Sequence, residues 1–214
     1  MAIDKHINFF ELEKACEQDG CPLCRIVSDR AYRYLDNMLF EHISDRPFRA
    51  SHRAAGGFCR EHAKHLYNFR DGLAVAILGR DILEDRLTSF QTRRPWKPKA
   101  ICPICAEQQR IEQEYLSFLA ETTGTSQEEL ELQRKFTASE GLCIPHYEQF
   151  LRLNKRIPQW IKQFQEQQFQ SLLERVNRFI DLSAYGKQDQ FAQLSPEDQV
   201  VWKELARTLR GDYN

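Results

Sequence analysis

The feature that most constrains the fold of this chain is a pair of matching cysteine and histidine motifs. The first half carries CPLC at residues 21–24 and GFCREH at 57–62. The second half carries CPIC at 102–105 and GLCIPH at 141–146, in the same order and at similar spacing. This agreement indicates an internal duplication, in which each half folds as one unit.

The motifs supply the residue types that bind a metal ion. A CxxC turn brings two sulfur atoms close together, and a CxxH at a helix start projects a thiolate and an imidazole from one helix face. A helix N-terminus also favours the thiolate form of cysteine. Assigning the ligands within each repeat predicts one site formed by Cys21, Cys24, Cys59 and His62 and a second formed by Cys102, Cys105, Cys143 and His146.

Zinc is the metal that this ligand set favours. Three thiolates and one imidazole around Zn²⁺ form a closed tetrahedral site, and two complete sets predict two ions per chain. An iron–sulfur cluster is the alternative, although such clusters usually take four cysteines, clustered more closely in sequence than these. The remaining cysteine, Cys16, has no counterpart in the second half, so we interpret it as a core residue of the first helix. His65 is interpreted as a surface residue near the first site.

Apolar residues recur at helical spacing through most of the chain, and alternating strand patterns are lacking. The spacing predicts helices over about 72–90 and 158–184, and Ser195-Pro196 predicts the start of a last helix that ends near Arg210. The predicted class is therefore all-α, with a duplicated helical unit that packs as one helical assembly. Tyr34 and Tyr115 share an offset in the two repeats, so we expect equivalent, half-buried positions for them.

The sequence divides into four segments on this interpretation. Residues 1–91 form the first metal-binding repeat and 101–185 the second, with a C-terminal helical tail over 186–214. The segment 92–100 contains two prolines and four basic residues, so we expect an exposed, stiff connector between the repeats. Nucleic-acid binding by this basic segment is the less favoured interpretation.

Catalysis is not expected from these motifs. A catalytic zinc ion keeps one coordination position open for water, whereas both quartets supply four protein ligands. Glu61 lies two residues after Cys59, which is the spacing between a metal ligand and the catalytic glutamate in zinc nucleobase deaminases. However, the order of the two motifs is reversed relative to those enzymes, and the second repeat has Pro145 at the position of Glu61. Glu61 is instead expected to stabilise a first helical turn. The chain is therefore predicted to be non-enzymatic.

Composition excludes several classes of protein. The net charge of −1 favours neither nucleic acid nor a membrane surface as the partner. The first twenty residues lack the apolar segment of a signal peptide, and no apolar run approaches the length of a membrane span. We therefore expect a cytoplasmic location, where the seven cysteines stay reduced and serve metal or redox chemistry.

The duplicated CPxC and GxCxxH pattern resembles a family of uncharacterised bacterial proteins that is known as a domain of unknown function. The resemblance covers roughly residues 10–185 and departs at the C-terminal tail. It implies a helical, metal-binding prokaryotic protein and brings no established activity.

Three functions remain open on the sequence. The first is an interaction or assembly protein that has a protein partner and depends on two structural zinc ions. The second is a thiol-based redox or metal-responsive regulator, in which oxidation releases the metal. An iron–sulfur protein or a nucleic-acid-binding module is the third, and the charge balance opposes the latter.

Overall fold

The computed structural model describes residues 2–41, 43–68 and 71–211, with side chains from residue 7 onward in those ranges. Every regular element in these ranges is helical, which confirms the all-α prediction. The α-helices are α1 (Ala2–Cys16), α2 (Pro22–Phe40), α3 (Arg46–Ala55), α4 (Arg60–His65), α5 (Gly72–Thr92), α6 (Pro103–Glu121), α7 (Gln127–Thr137), α8 (Ile144–Leu153), α9 (Gln159–Leu182), α10 (Gln188–Phe191) and α11 (Val201–Arg210). Two short 3₁₀ helices span Leu66–Asn68 and Asp198–Val200.

The long helices begin and end where local signals place them. The carboxylate of Asp71 accepts a hydrogen bond from the amide of Ala74 and caps α5, which matches the helix predicted over 72–90. Helix α9 follows Pro158 and matches the helix predicted over 158–184. Helix α11 ends at Arg210, directly before Gly211, as predicted, but it begins at Val201, after the 3₁₀ turn Asp198–Val200, rather than at Ser195-Pro196. No helix among the described residues is both long and apolar enough to cross a bilayer.

The chain forms two compact units, which are described separately. Unit 1 comprises Met1–Ser28 and Glu112–Asn214, and unit 2 comprises Asp29–Ile111. The boundaries therefore fall inside α2 and α6. The unit boundaries differ from the segment boundaries expected from the sequence. Each unit contains one motif from the first half of the chain and one from the second.

Unit 1 is built around fully buried apolar side chains from α1, α6, α7, α8 and α9. Phe136 on α7 makes edge-to-face contacts with the rings of Trp160 and Phe164 on α9. The indole N–H of Trp160 donates to the carbonyl of Thr122 at 2.9 Å, which satisfies its polar atom inside the unit. These contacts hold α9 against α7 and against the segment that precedes α7.

Unit 2 has its own apolar core, formed mainly by α2, α3 and α5. The core cluster is Ala31, Leu35, Leu39, Phe48, Ala74, Leu78, Cys102 and Ile104. Two ion pairs join α3 to α5: Arg49 donates to both oxygens of Asp81 at 2.8 and 2.7 Å, and Arg53 pairs with Asp85 in the same way. Both pairs are two-pronged, which is the strong form of an arginine–carboxylate contact.

The proline-rich segment 92–100 lies within unit 2 and is exposed along most of its length. It is nevertheless attached to the unit at two points. The guanidinium of Arg86 lies 3.6 Å from the ring centre of Trp96, and the amide of Lys99 donates to the carbonyl of Ala54 at 2.7 Å. The segment therefore follows the surface of unit 2 over these residues.

The expected equivalence of the two tyrosines is wrong. Tyr115 is completely buried, and its hydroxyl donates to the carboxylate of Glu11 at 2.5 Å. Tyr34 is half-buried and packs at the edge of the unit 2 core. Helix α1 contributes to the difference, because it brings Glu11 to the hydroxyl of Tyr115.

Candidate metal centre

Unit 1 contains a buried group of four metal-binding side chains. The group consists of Cys21, Cys24, Cys143 and His146, whose donor atoms all lie within 4.8 Å of one another. The Nδ1 atom of His146 lies 3.4 Å from the sulfur atoms of both Cys21 and Cys24, and 3.2 Å from that of Cys143. All four side chains are at least nine-tenths buried.

Unit 2 contains a second group of the same composition, formed by Cys59, His62, Cys102 and Cys105. The Nδ1 atom of His62 lies 3.2, 3.6 and 3.4 Å from the three sulfur atoms in that order. His62 and Cys102 are buried, whereas Cys59 and Cys105 are partly exposed to solvent. The second group is therefore the more accessible of the two.

All eight residues predicted as ligands lie in these groups, but the predicted pairing within each repeat is wrong. Each group combines the CxxC of one half with the CxxH of the other. Helix lengths favour the observed grouping: α2 has 19 residues and carries the chain about 28 Å away from its CxxC, whereas the 10-residue α3 recovers only about 15 Å even if it runs fully antiparallel. The 19-residue α6 and the 11-residue α7 differ in length in the same way in the second half.

Helix starts position the donors in both groups. Cys59 and Cys143 are the N-cap residues of α4 and α8, with nearly identical backbone angles (φ −66°, ψ 168° and φ −65°, ψ 163°). Their sulfur atoms make no capping hydrogen bond, and the histidine of each motif lies three residues further along the same helix face.

The glycine that precedes each CxxH by two residues is required by the backbone. Gly57 and Gly141 have φ angles of +97° and +73°, in the left-handed region that other residues rarely adopt. At Gly141 a side chain would also meet Gln165, whose Oε1 atom would lie 2.8 Å from a Cβ. The sharp turn at these glycines lets each cysteine face its group.

The spacing of the donors fits a single tetrahedral ion. Metal–sulfur bonds of about 2.3 Å at tetrahedral angles separate two sulfur atoms by about 3.8 Å. The sulfur atoms of Cys24 and Cys143 are 3.7 Å apart, and those of Cys59 and Cys105 are also 3.7 Å apart. These separations are far longer than a disulfide bond, and all seven cysteines are free thiols.

The electrostatics of the unit 1 group favour a positive charge at its centre. Burial alone would lower the pKa of His146, but contacts of the ring with Cys143 and Cys21 raise this pKa to about 12. Burial alone would raise the pKa of Cys21, but hydrogen bonds with Cys143, Cys24 and His146 place this pKa well below its usual value. Both pKa shifts have the same cause: in this buried site the negative charge of a thiolate stabilises the positive charge of the imidazolium, and the imidazolium stabilises the thiolate. A divalent metal ion would supply that positive charge.

Two supporting residues around the unit 1 group were not identified from the sequence. Oε1 of Glu112 lies 3.6 Å from Nε2 of His146, on the side of the ring opposite the sulfur atoms. Gln165 is fully buried and makes two hydrogen bonds to Leu142, accepting from its amide at 2.8 Å and donating to its carbonyl at 2.9 Å. Both residues hold the CxxH segment in place. The signal for Gln165 is its helical spacing from Ile161, which places it on the buried face of α9.

The other residues discussed from the sequence lie outside both groups. Cys16 is buried in α1, as predicted, and burial raises the pKa of its thiol to about 12. The ring of His65 is half-buried, and its centre lies 6.4 Å from that of His62. Glu61 is exposed in the first turn of α4 and pairs with Lys64 at 2.6 Å.

Fold and site together define an all-helical protein with two possible Cys₃His metal-binding groups. Residues 5–100 match the family described as "Family of unknown function (DUF6062)". This confirms the resemblance to a family of unknown function, over a segment that contains the first CPxC and the first CxxH.

A curated relative is similar to about half of the chain. It is the "Uncharacterized 23.9 kDa protein in xynA 3'region" from Caldicellulosiruptor sp. (strain Rt8B.4), which is 28% identical over 104 residues. The similarity covers 46% of this chain and 51% of the relative, so the chain spans about half of that protein's length. Comparison with solved structures finds no match.

Proposed function

We propose that this chain is a non-enzymatic interaction or assembly protein whose fold depends on two structural zinc ions. This proposal rests on the donor geometry of the two groups. Each group offers three sulfur atoms and one ring nitrogen at the spacing that a single tetrahedral ion requires. Four protein donors complete the preferred coordination of Zn²⁺ and leave no position for water. The 3.7 Å sulfur separations suit one ion better than a cluster of several iron atoms.

The surroundings of the groups also favour a structural role. Glu61, the candidate catalytic acid beside the unit 2 group, is exposed and bound to Lys64. In unit 1, Glu112 faces the nitrogen of His146 that points away from the sulfur atoms. That arrangement orients a metal-bound histidine rather than activating water. A cytoplasmic setting would keep the thiols available for the metal.

Elemental analysis of the purified, desalted protein tests the metal assignment. We expect two zinc ions per chain and a colourless solution. Removal of zinc by a strong chelator should abolish the cooperative thermal transition of the protein, because metal binding and folding are coupled in sites of this kind. Stoichiometric iron and sulfide in a brown sample would contradict the zinc assignment.

A redox-responsive role is the second candidate, and one observation favours it. Cys59 and Cys105 of the unit 2 group are partly exposed and adjacent, whereas the unit 1 group is buried. Hydrogen peroxide could oxidise these two thiolates to a disulfide with release of the ion, consuming two protons and forming two water molecules. Exposure to peroxide should then release one zinc ion well before the other. Simultaneous release of both ions would leave no support for this role.

A further inference from the structure

Helix α5 is apolar on two opposite faces. Its inner face packs in unit 2 through Ala74 and Leu78, with Asp81 bound to Arg49. Its outer face carries large apolar side chains that solvent reaches: Leu73 is 72% exposed, Leu83 59%, Leu87 49% and Phe90 71%. A helix of a globular protein normally keeps large apolar side chains on the faces that pack against other elements. The outer face therefore indicates a contact surface.

The exposed side chains follow the spacing of a helix–helix contact. Residues 73, 76, 80, 83, 87 and 90 alternate in steps of three and four, which places them on one stripe. We call this set the outer stripe; it consists of Leu73, Ala76, Arg80, Leu83, Leu87 and Phe90. Its periodicity is that of an element that packs against another helix rather than against a flat surface.

The outer stripe is complementary to itself when two copies run antiparallel. A two-fold axis midway between Arg80 and Leu83 places Leu73 opposite Phe90 of the second copy. The same axis places the small side chain of Ala76 opposite Leu87 of the second copy. Small and large residues therefore alternate across the contact, as close packing of two helices requires.

Charge and backbone features agree with this pairing. Arg80 and Glu84 lie on the same edge of the stripe, with exposed side chains 3.8 Å apart. In the antiparallel pair, Arg80 lies at nearly the same height as Glu84 of the second copy, so opposite charges meet twice. On the other edge, a Cβ built on Gly79 would meet nothing within 4 Å, which leaves room for a neighbouring backbone.

We propose that a second copy of this chain docks on the outer stripe of α5, with the two helices antiparallel, and that the protein is a homodimer. This inference rests on the proposed role as an assembly protein and names its partner. Symmetric pairing of one surface with itself is the commonest form of protein oligomer.

Molar mass in solution tests the dimer. By light scattering at about 100 µM, the full zinc-loaded chain should have twice its mass of 25.3 kDa. Leu87→Glu should weaken the dimer at least about 100-fold, because it would bury the carboxylate of each copy against Ala76 of the other. Leu173→Glu changes a leucine on α9 that is similarly exposed, and it should leave the dimer intact. A monomeric wild-type protein, or equal effects of the two variants, would overturn the proposal.

A charge exchange tests the antiparallel register. Arg80→Glu places a carboxylate opposite Glu84 of the second copy and should weaken the dimer about 10-fold. Adding Glu84→Arg restores opposite charges and should recover most of the wild-type dissociation constant. Failure of the double variant to recover would rule out this register.

Zinc content is measured in the same samples. A monomer with two zinc ions would reject the dimer and leave the metal proposal standing, whereas a dimer without zinc would do the reverse. Unchanged zinc content and helicity in Leu87→Glu would show that the variant is folded.

Discussion

Pairs of substitutions can establish which cysteines share an ion. The structure groups Cys24 with Cys143 and separates both from Cys59. The double variant Cys24→Ser/Cys143→Ser should therefore lose one zinc ion and keep the other. The double variant Cys24→Ser/Cys59→Ser should lose both. Pairing within each half of the sequence would give the opposite result, so two samples distinguish the arrangements.

The free energy of unfolding should follow the same pattern. An ion that binds only the folded state stabilises it by about 4 kcal/mol when free zinc is a thousandfold above the dissociation constant. The first substitution in a group removes most of this amount. A second substitution in the same group has no ion left to release, so the two effects should fall short of additivity by about 3 kcal/mol. Substitutions in different groups should add.

Urea denaturation at a fixed free zinc concentration measures these energies, and mass spectrometry of the metal content measures the stoichiometry. Cys16→Ser serves as the control, because Cys16 is buried but belongs to neither group. It should keep two ions. Retention of one ion by Cys24→Ser/Cys59→Ser, with none in Cys24→Ser/Cys143→Ser, would refute the grouping that the structure shows.

Three further substitutions test individual contacts. Asp81→Asn should lower the free energy of unfolding by about 1–3 kcal/mol at pH 7. Because its arginine partner holds the pKa of Asp81 below the usual 3.8, this stabilisation is present above pH 4 and is lost in acid, so the urea midpoints of variant and wild type should converge there. Gln165→Ala leaves a buried amide and a buried carbonyl unpaired and should cost about 2–4 kcal/mol in the same assay, whereas Gln163→Ala, at an exposed position of the same helix, should cost under about 0.5 kcal/mol. Glu112→Gln should weaken zinc binding in unit 1 by about 10–100-fold in chelator competition, with Glu148→Gln, exposed on α8, as the unchanged control.

The helices were predictable because their signals are local. Asp71 before α5, Pro158 before α9 and Gly211 after α11 lie within a few residues of the boundaries that they specify. The eight donor residues were predictable for a similar reason, because each CxxC or CxxH motif is complete within four consecutive residues. Both kinds of signal survive without knowledge of the tertiary structure.

The grouping of the donors was not predictable from motif alignment, because it depends on where rigid helices carry the chain. Helix α2 carries the chain about 28 Å away from the first CxxC, and the shorter α3 recovers only about 15 Å, so a return to the start would depend on the turns beside α3. Gln165 was not identified from the sequence for a related reason. It stands among mostly exposed glutamines in sequence, and although its spacing from Ile161 indicates the buried face of α9, its contact with Leu142 depends on the tertiary structure.

Because each group combines a CxxC from one half of the chain with a CxxH from the other, the two groups become complete at different stages of synthesis. The unit 2 donors span residues 59–105 and lie entirely inside the stretch 21–146 that the unit 1 donors enclose. During synthesis, which exposes the N-terminal part first, the inner set is complete while Cys143 is still absent. Cys24 and Cys143 are 119 residues apart, whereas Cys59 and Cys105 are 46 residues apart. Taken alone, closing the longer of these two loops costs only about 0.8 kcal/mol more than closing the shorter one. Closing the loop between Cys59 and Cys105 first would shorten the loop between Cys24 and Cys143, so a metal ion bound in unit 2 would prepare the chain to bind one in unit 1.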